Sequence, residues 1–398
     1  MNTEQIRMLN DQYIINTYGP RKLALTRGEG VTLWDADGKE YLDCFAGIAV
    51  ANLGHCHPAV TEAICQQAQK LVHVSNLYYI EPQVHLGQML CHHSFADRWF
   101  FCNGGAEANE AAIKLARRYW SQKDQSRPVI VTADQSFHGR TMATIAATGQ
   151  AKYRQGFEPM PGGFRYVPFD DLEAIEEALR DEAVGAVLLE PIQGEGGVRV
   201  PEPGYIKQVR QLCNAKDVLL ILDEVQTGLG RTGTLFAHEA DRIQPDIMTL
   251  AKGLANGVPI GAMGCTAEVA QGFSVGSHAC TFGGNPLSSA AACATLEVIA
   301  DSAFLARVEA TGAHFMARLR EAAAGCGALV EVRGRGLMIG IEFSENVAPL
   351  VDAMREGGVI CGPAGPTVLR FVPPLIITKD QVDRAVSIFA ASLKELGW

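Results

Sequence analysis

The chain has 398 residues with a formal net charge of −10 and no basic run or stripe, so a nucleic-acid partner is not expected. Hydrophobic residues make up 47% and charged residues 20%, which excludes a disordered chain and suits a globular one of two or three domains. No apolar run approaches about 18 residues, so no membrane-spanning helix is expected.

Residues 1–50 read as an N-terminal arm and a small strand pair, in which 31–34 and 40–43 flank the turn dipeptide Asp37-Gly38. The opening stretch lacks the basic, apolar and small-residue succession of a leader, so a cytoplasmic protein is expected. From residue 51 to 296 short apolar runs alternate with helical patterns. The runs at 129–132, 186–189, 218–222 and 247–250 read as buried strands of a mostly parallel sheet covered on both faces. Residues 297–398 change to a helix at 303–324, a strand at 338–343, further strands and a closing helix at 379–396. They form a second, smaller α/β unit. The 11 cysteines are odd in number, scattered and free of any C-x-x-C pair, which suits free thiols in a reducing compartment.

In an open α/β sheet, ligands bind beyond the carboxyl ends of the strands. The candidates just after those four strands are Phe137-His138-Gly139-Arg140, Glu190 to Gly197, Asp223-Glu224 and Lys252, and four pieces of the chain suggest chemistry. Asn103-Gly104-Gly105-Ala106 is a glycine turn running into a helix over residues 106–120, where free N–H groups favour a phosphate. Asp223 ends an apolar strand, a costly place for an acid unless it has a partner such as a pyridinium N–H. Lys252 follows the 247–250 strand, where partial desolvation would make its amine nucleophilic. Thr281 opens a tight polar turn before a small-residue helix, and its hydroxyl suits a phosphate oxygen. Taken singly, each is also an ordinary turn, cap or surface residue.

Together, their order and spacing resemble the class III aminotransferases, which are fold-type I pyridoxal-phosphate enzymes. The resemblance covers nearly the whole chain, from about Tyr18 to the last helix. It rests most on FCNGGAEANEAAIK (101–114), FHGRT (137–141), EPIQGEGG (190–197) and DEVQTG (223–228), with GIAV (47–50) and LGHCHP (53–58) also fitting. It implies an α/β fold in which a large domain, with a mostly parallel sheet flanked by helices, carries the cofactor. A smaller α/β domain would be formed by the N- and C-terminal segments.

The resemblance also implies roles. Lys252 would hold pyridoxal 5'-phosphate covalently and shuttle the proton. Asp223 would keep the pyridine nitrogen protonated, so that the ring acts as an electron sink. Phe137 would stack on the ring. Gln226, with Val225 beside it, would approach the phenolic oxygen. Gly104, Gly105 and Ala106 would cradle the phosphate. Thr281 would reach the phosphate of a neighbouring subunit, making a homodimer with shared active sites. Arg140 would hold the α-carboxylate of an acylated ornithine, and Arg370 that of glutamate or 2-oxoglutarate. A guanidinium fork suits either. Glu195 would neutralise Arg370 while an ω-amine donor is bound, and Tyr18 would line the substrate channel. Two positions depart from the pattern: Gly104 and Cys280 stand where the family usually has Ser.

The implied reaction moves the δ-amino group of N-acetylornithine to 2-oxoglutarate. Donors of the same class that stay open are succinylornithine, ornithine, 4-aminobutyrate and succinyl-diaminopimelate. A mutase or decarboxylase on the same fold is a rival that the Glu195–Arg370 pair disfavours. A non-catalytic relative is disfavoured by intact Lys252, Asp223 and Thr281. His55-Cys56-His57 has no further ligands at zinc-like spacing, so no metal site is expected. His138 is expected to shape its loop.

Overall fold

Short apolar runs without a polar face need cover on both sides. Here they build one seven-stranded sheet. Its order is Arg98–Cys102, Gly261–Cys265, Ile247–Leu250, Leu219–Asp223, Val184–Leu189, Val129–Ala133, Phe164–Val167. The structure, a computed structural model, describes residues 1–19 and 21–398. Gly261–Cys265 is antiparallel to both neighbours, and the other pairings are parallel. The exception has a simple cause: only residues 251–260 link it to Ile247–Leu250, too short a connection for the crossover that a parallel return needs.

The turn expected at Asp37-Gly38 joins antiparallel strands Thr32–Asp35 and Glu40–Asp43. Asp35 explains it. Its Oδ1 accepts the N–H groups of Asp37 (3.0 Å) and Lys39 (2.9 Å), and its Oδ2 accepts the Tyr41 hydroxyl (2.9 Å). Gly38, at φ +87°, supplies the left-handed residue. The C-terminal strand Val359–Ile360 joins this sheet parallel to Glu40–Asp43, so the two ends of the chain share a sheet. A third sheet has the order Leu329–Arg335, Met338–Phe343, Val368–Phe371, Gly362–Pro363. Its apolar face packs on the helices Ser302–Ala322 and Lys379–Leu396 in a core that also contains Val31, Leu42 and Val359.

All eleven cysteines are free. Among the described residues no single helix is long and apolar enough to cross a membrane. Pro286–Ile299 and Ser302–Ala322 would qualify only together, across a 71° bend.

Candidate active site

The carboxyl ends of four parallel strands deliver Asn103, Glu190, Asp223 and Lys252 to one cavity of about 380 Å³, which is the size of a small-molecule site. Asp223 lies at its floor, 3% exposed. Its Oδ2 accepts Asn109 Nδ2 (2.7 Å) and faces His138 Nδ1 (2.8 Å), and its Oδ1 accepts the Val225 N–H (3.0 Å). Both side-chain donors are themselves held. Thr249 donates to Asn109 Oδ1 (2.8 Å), and Thr132 Oγ1 lies 3.2 Å from His138 Nε2. The carboxylate is therefore aimed before any ligand arrives, and Oδ1 keeps acceptor capacity for a donor in the cavity.

Lys252 enters from the turn after Ile247–Leu250 with φ +39°, a left-handed backbone for a non-glycine residue. Burial pushes its amine down to about 8, with Glu195 and Arg370 acting in opposite senses. About a tenth of this lysine is then free amine at pH 7 and about half at pH 8, far more than for an exposed lysine.

The helix Gly105–Gln122 points its N-terminus at the cavity. Its first-turn N–H groups have no intrahelical acceptors. A Cβ on Gly105 would lie 2.8 Å from Val225 Cγ1, so glycine is required there for the turn to close over the 223–226 loop. Gly104 differs: a Cβ there meets nothing within 4 Å.

Phe137 and Arg140 also line the cavity. The Phe137 N–H is held by Glu190 Oε2 (3.0 Å), and burial pushes the Glu190 carboxyl up to about 7. The Arg140 guanidinium sits 3.8 Å over the Tyr153 ring and 5.2 Å from Phe137. Arg370 is 1% exposed and pairs with Glu195 (2.6 Å). Burial pushes the Glu195 carboxyl up, but Arg370 outweighs it and leaves the group below the usual range.

The cavity therefore gathers Gly104, Gly105, Ala106, Phe137, Arg140, Asp223, Val225, Gln226 and Lys252, with Glu195 and Arg370 packed at its edge through Gln226. Gln226 has one engagement that its motif does not suggest: its Oε1 accepts Arg370 Nη1 (3.2 Å). Thr281 is exposed and lies outside the cavity of its own chain, and so does Tyr18, which is 82% exposed. Cys280 sits at the rim, where its Sγ accepts Asn103 Nδ2 (3.2 Å).

Four residues of the site, His138, Asn109, Glu190 and Tyr153, are given no role in the chemistry by the sequence, although His138 and Glu190 lie in strand-end candidates. His138, expected only to shape its loop, contacts Asp223 directly. The first three lie inside the quoted motifs, so a signal is present. Tyr153 sits on the short turn Ala151–Tyr153, with no strand end to mark it. His55 contacts Asp43 (2.7 Å), and among the described residues no cluster of potential ligands suits a metal ion.

The family model for aminotransferase class III matches residues 13–393. The chain belongs to the class-III aminotransferases. Acetylornithine aminotransferase from Methanothermobacter thermautotrophicus is 48% identical, with both chains covered in full. The crystal structure of N-acetylornithine aminotransferase from Stenotrophomonas maltophilia is 40% identical with a TM-score of 0.85, and 98% of each chain is covered. Ornithine aminotransferase from Toxoplasma gondii, described with partial occupancy of PLP at its active site, is 36% identical with a TM-score of 0.96. It covers 100% of this chain and 95% of its own.

Class-III aminotransferases depend on pyridoxal 5'-phosphate, and the cavity fits that group on its own chemistry. It offers a free helix N-terminus for a phosphate, a pre-aimed carboxylate for a pyridinium N–H, and a depressed lysine for an aldehyde. The open space at Gly104 makes a prediction. Gly104→Ser should fit without displacement and place a hydroxyl near the cradle. The dissociation constant of the cofactor should fall roughly three- to tenfold, the worth of about one added hydrogen bond. Absorbance titration of cofactor-free protein measures it, and unchanged or weaker binding contradicts the cradle assignment.

Proposed function

We propose that the protein transfers the δ-amino group of N-acetylornithine to 2-oxoglutarate, giving N-acetylglutamate 5-semialdehyde and glutamate, a step of arginine biosynthesis. The observation that carries the reading is the buried Glu195–Arg370 pair at the edge of a cavity whose mouth holds a second, stacked arginine, Arg140. One site must accept two unlike amino donors. Arg370 would bind the α-carboxylate of glutamate when Glu195 swings away. With Glu195 in place, a donor lacking a carboxylate near its reacting amine would bind instead, its own α-carboxylate on Arg140. The mouth presents a cation and two aromatic rings. That chemistry suits an acylated α-amino group better than a free ammonium, which Arg140 would repel.

When bound, pyridoxal phosphate supplies an aldehyde that takes up the amino group and a ring that spreads the charge left by a departing proton. Lys252 Nζ, about half neutral near its depressed pKa, would take that proton from the donor carbon and return it on the cofactor side. Asp223 would hold the proton on the ring nitrogen, with His138 and Asn109 keeping it oriented. Gly104, Gly105 and Ala106 would hold the phosphate, Phe137 would stack on the ring, and Gln226, with Val225 beside it, would approach the phenolic oxygen. The exposed Thr281 would complete the cradle of the partner subunit, and Tyr18 and Cys280 would line its channel, in a cytoplasmic homodimer. Two half-reactions in one site require ping-pong kinetics.

A panel of amino donors with 2-oxoglutarate tests the substrate. Ranked by kcat/KM, N-acetylornithine should exceed ornithine and 4-aminobutyrate by at least about tenfold, with succinylornithine closer. A panel led by 4-aminobutyrate or free ornithine contradicts the proposal.

A further inference from the structure

Glu195 sits on a loop that the C-terminal sheet holds by its backbone as well as by this side chain. Gln193 and Arg199 exchange backbone hydrogen bonds (3.1 and 3.0 Å) and close off residues 194–198. Within the loop, Gly197 and Val198 both donate to Gly194 O (3.3 and 3.2 Å). Val198 is fully buried at φ +49°, a strained backbone for a β-branched residue, which persists only when its surroundings hold it.

The surroundings are one row of the C-terminal sheet. Gly340 pairs with Arg333 on one side and Arg370 on the other, so the three face the loop from adjacent strands. Gly340 leaves room for the loop: a Cβ there would lie 2.9 Å from Val198 Cβ. Arg370 grips the loop by its Glu195 side chain. Arg333 grips it by its backbone, donating Nη2 to Gly197 O (2.6 Å) and Nε to Gly197 O (3.2 Å) and Val198 O (3.0 Å). The remaining nitrogen of Arg333, Nη1, pairs with Glu331 (2.9 Å) and Glu342, so its charge is neutralised within its own sheet.

We propose that Arg333 is a positioning residue for donor selection. It locks the backbone of residues 194–198, so that only the Glu195 side chain moves when an α-carboxylate displaces it from Arg370. The inference rests on the Glu195–Arg370 gate proposed above. Because Arg333 is already neutralised by two acids, it does not compete with Arg370 for the substrate carboxylate. Loosening the loop weakens the hold of Glu195 on Arg370, which favours α-amino donors and disfavours ω-amino donors.

The test compares single-turnover half-reactions of the holoenzyme with glutamate and with N-acetylornithine, followed by cofactor absorbance. Glu195→Ala should raise the ratio of kcat/KM for glutamate to that for N-acetylornithine. Arg333→Lys keeps the charge but loses the fork, and should raise the same ratio roughly three- to tenfold, mainly through KM. It should add nothing in the Glu195→Ala background. Gly340→Ala, which pushes Val198 off the sheet without touching a charge, should shift the ratio in the same direction. If Glu195→Ala shifts the ratio while Arg333→Lys and Gly340→Ala slow both half-reactions by one common factor, the role of Arg333 is overturned and the gate survives. A ratio unmoved by Glu195→Ala overturns the gate and this inference together.

Discussion

Lys252→Ala is expected to lower turnover by at least about 10³-fold, because it removes both the covalent anchor and the group that moves the proton. The cofactor should still bind, more weakly, since Asp223 and the helix N-terminus are untouched. Its absorbance should then match the free aldehyde instead of a lysine-bound form. Steady-state assays and absorbance spectra check both statements, and turnover within tenfold of the parent rules the role out.

The same lysine makes a pH prediction. Burial sets its amine at about 8, against roughly 10.4 for an exposed lysine. Capture of pyridoxal phosphate by cofactor-free protein should therefore rise with pH through about 8 and level off well below 10. The sign for stability follows from proton counting. Between about pH 8 and 10.4 the unfolded chain holds a proton on this lysine that the native chain lacks, so this group makes stability rise with pH across that window. Below about pH 8 both states hold the proton and the cost of burying the charge is fully present. Lys252→Met should remove this slope from the cofactor-free protein, as read by denaturant melts at several pH values.

Asp223→Ala should be the next most damaging substitution. Turnover should fall by about 10²- to 10³-fold, the usual effect of losing a pre-aimed charge at the reacting group. The fold should suffer as well. Asn109 Nδ2 would lose its bond to the carboxylate and His138 Nδ1 its acceptor, in a buried place, at a cost of about 1–3 kcal/mol for each unpaired group. Asp223→Asn separates the two effects. It keeps the volume and the acceptor for Asn109 and His138 but turns an amide donor toward the Val225 N–H, so it should lose about 1–3 kcal/mol, less than Asp223→Ala, while turnover still falls. An Asp223→Asn enzyme with turnover within threefold of the parent refutes a charged partner for the ring.

Several elements are legible in the sequence, and for local reasons. The strand at 247–250, the closing helix at 379–396 and the strand pair around Asp37-Gly38 each carry their own pattern: an unbroken apolar run, a helical period and a turn dipeptide, to which the structure adds the caps Thr378 and Asp35. The antiparallel strand Gly261–Cys265 is not. Its direction depends on the length of a connection, which apolar patterning does not encode. The chemistry of the site is legible through four stretches whose spacing is informative only jointly. The contacts of the supporting residues are not, because His138 reaches Asp223 across 85 positions and Arg333 reaches Gly197 across 136.

By itself, then, the sequence determined the strand ends, the glycine turn, the acid and the lysine, and with them the family and its cofactor. Each of these is a local choice whose cost, such as an acid ending a buried strand, can be read from its neighbours in the chain. Only the tertiary structure decided how far the Lys252 amine is depressed, which donors aim Asp223, and how Glu195 is held against Arg370. Those properties depend on desolvation and on hydrogen bonds between remote segments, and both exist only once the three sheets are packed together.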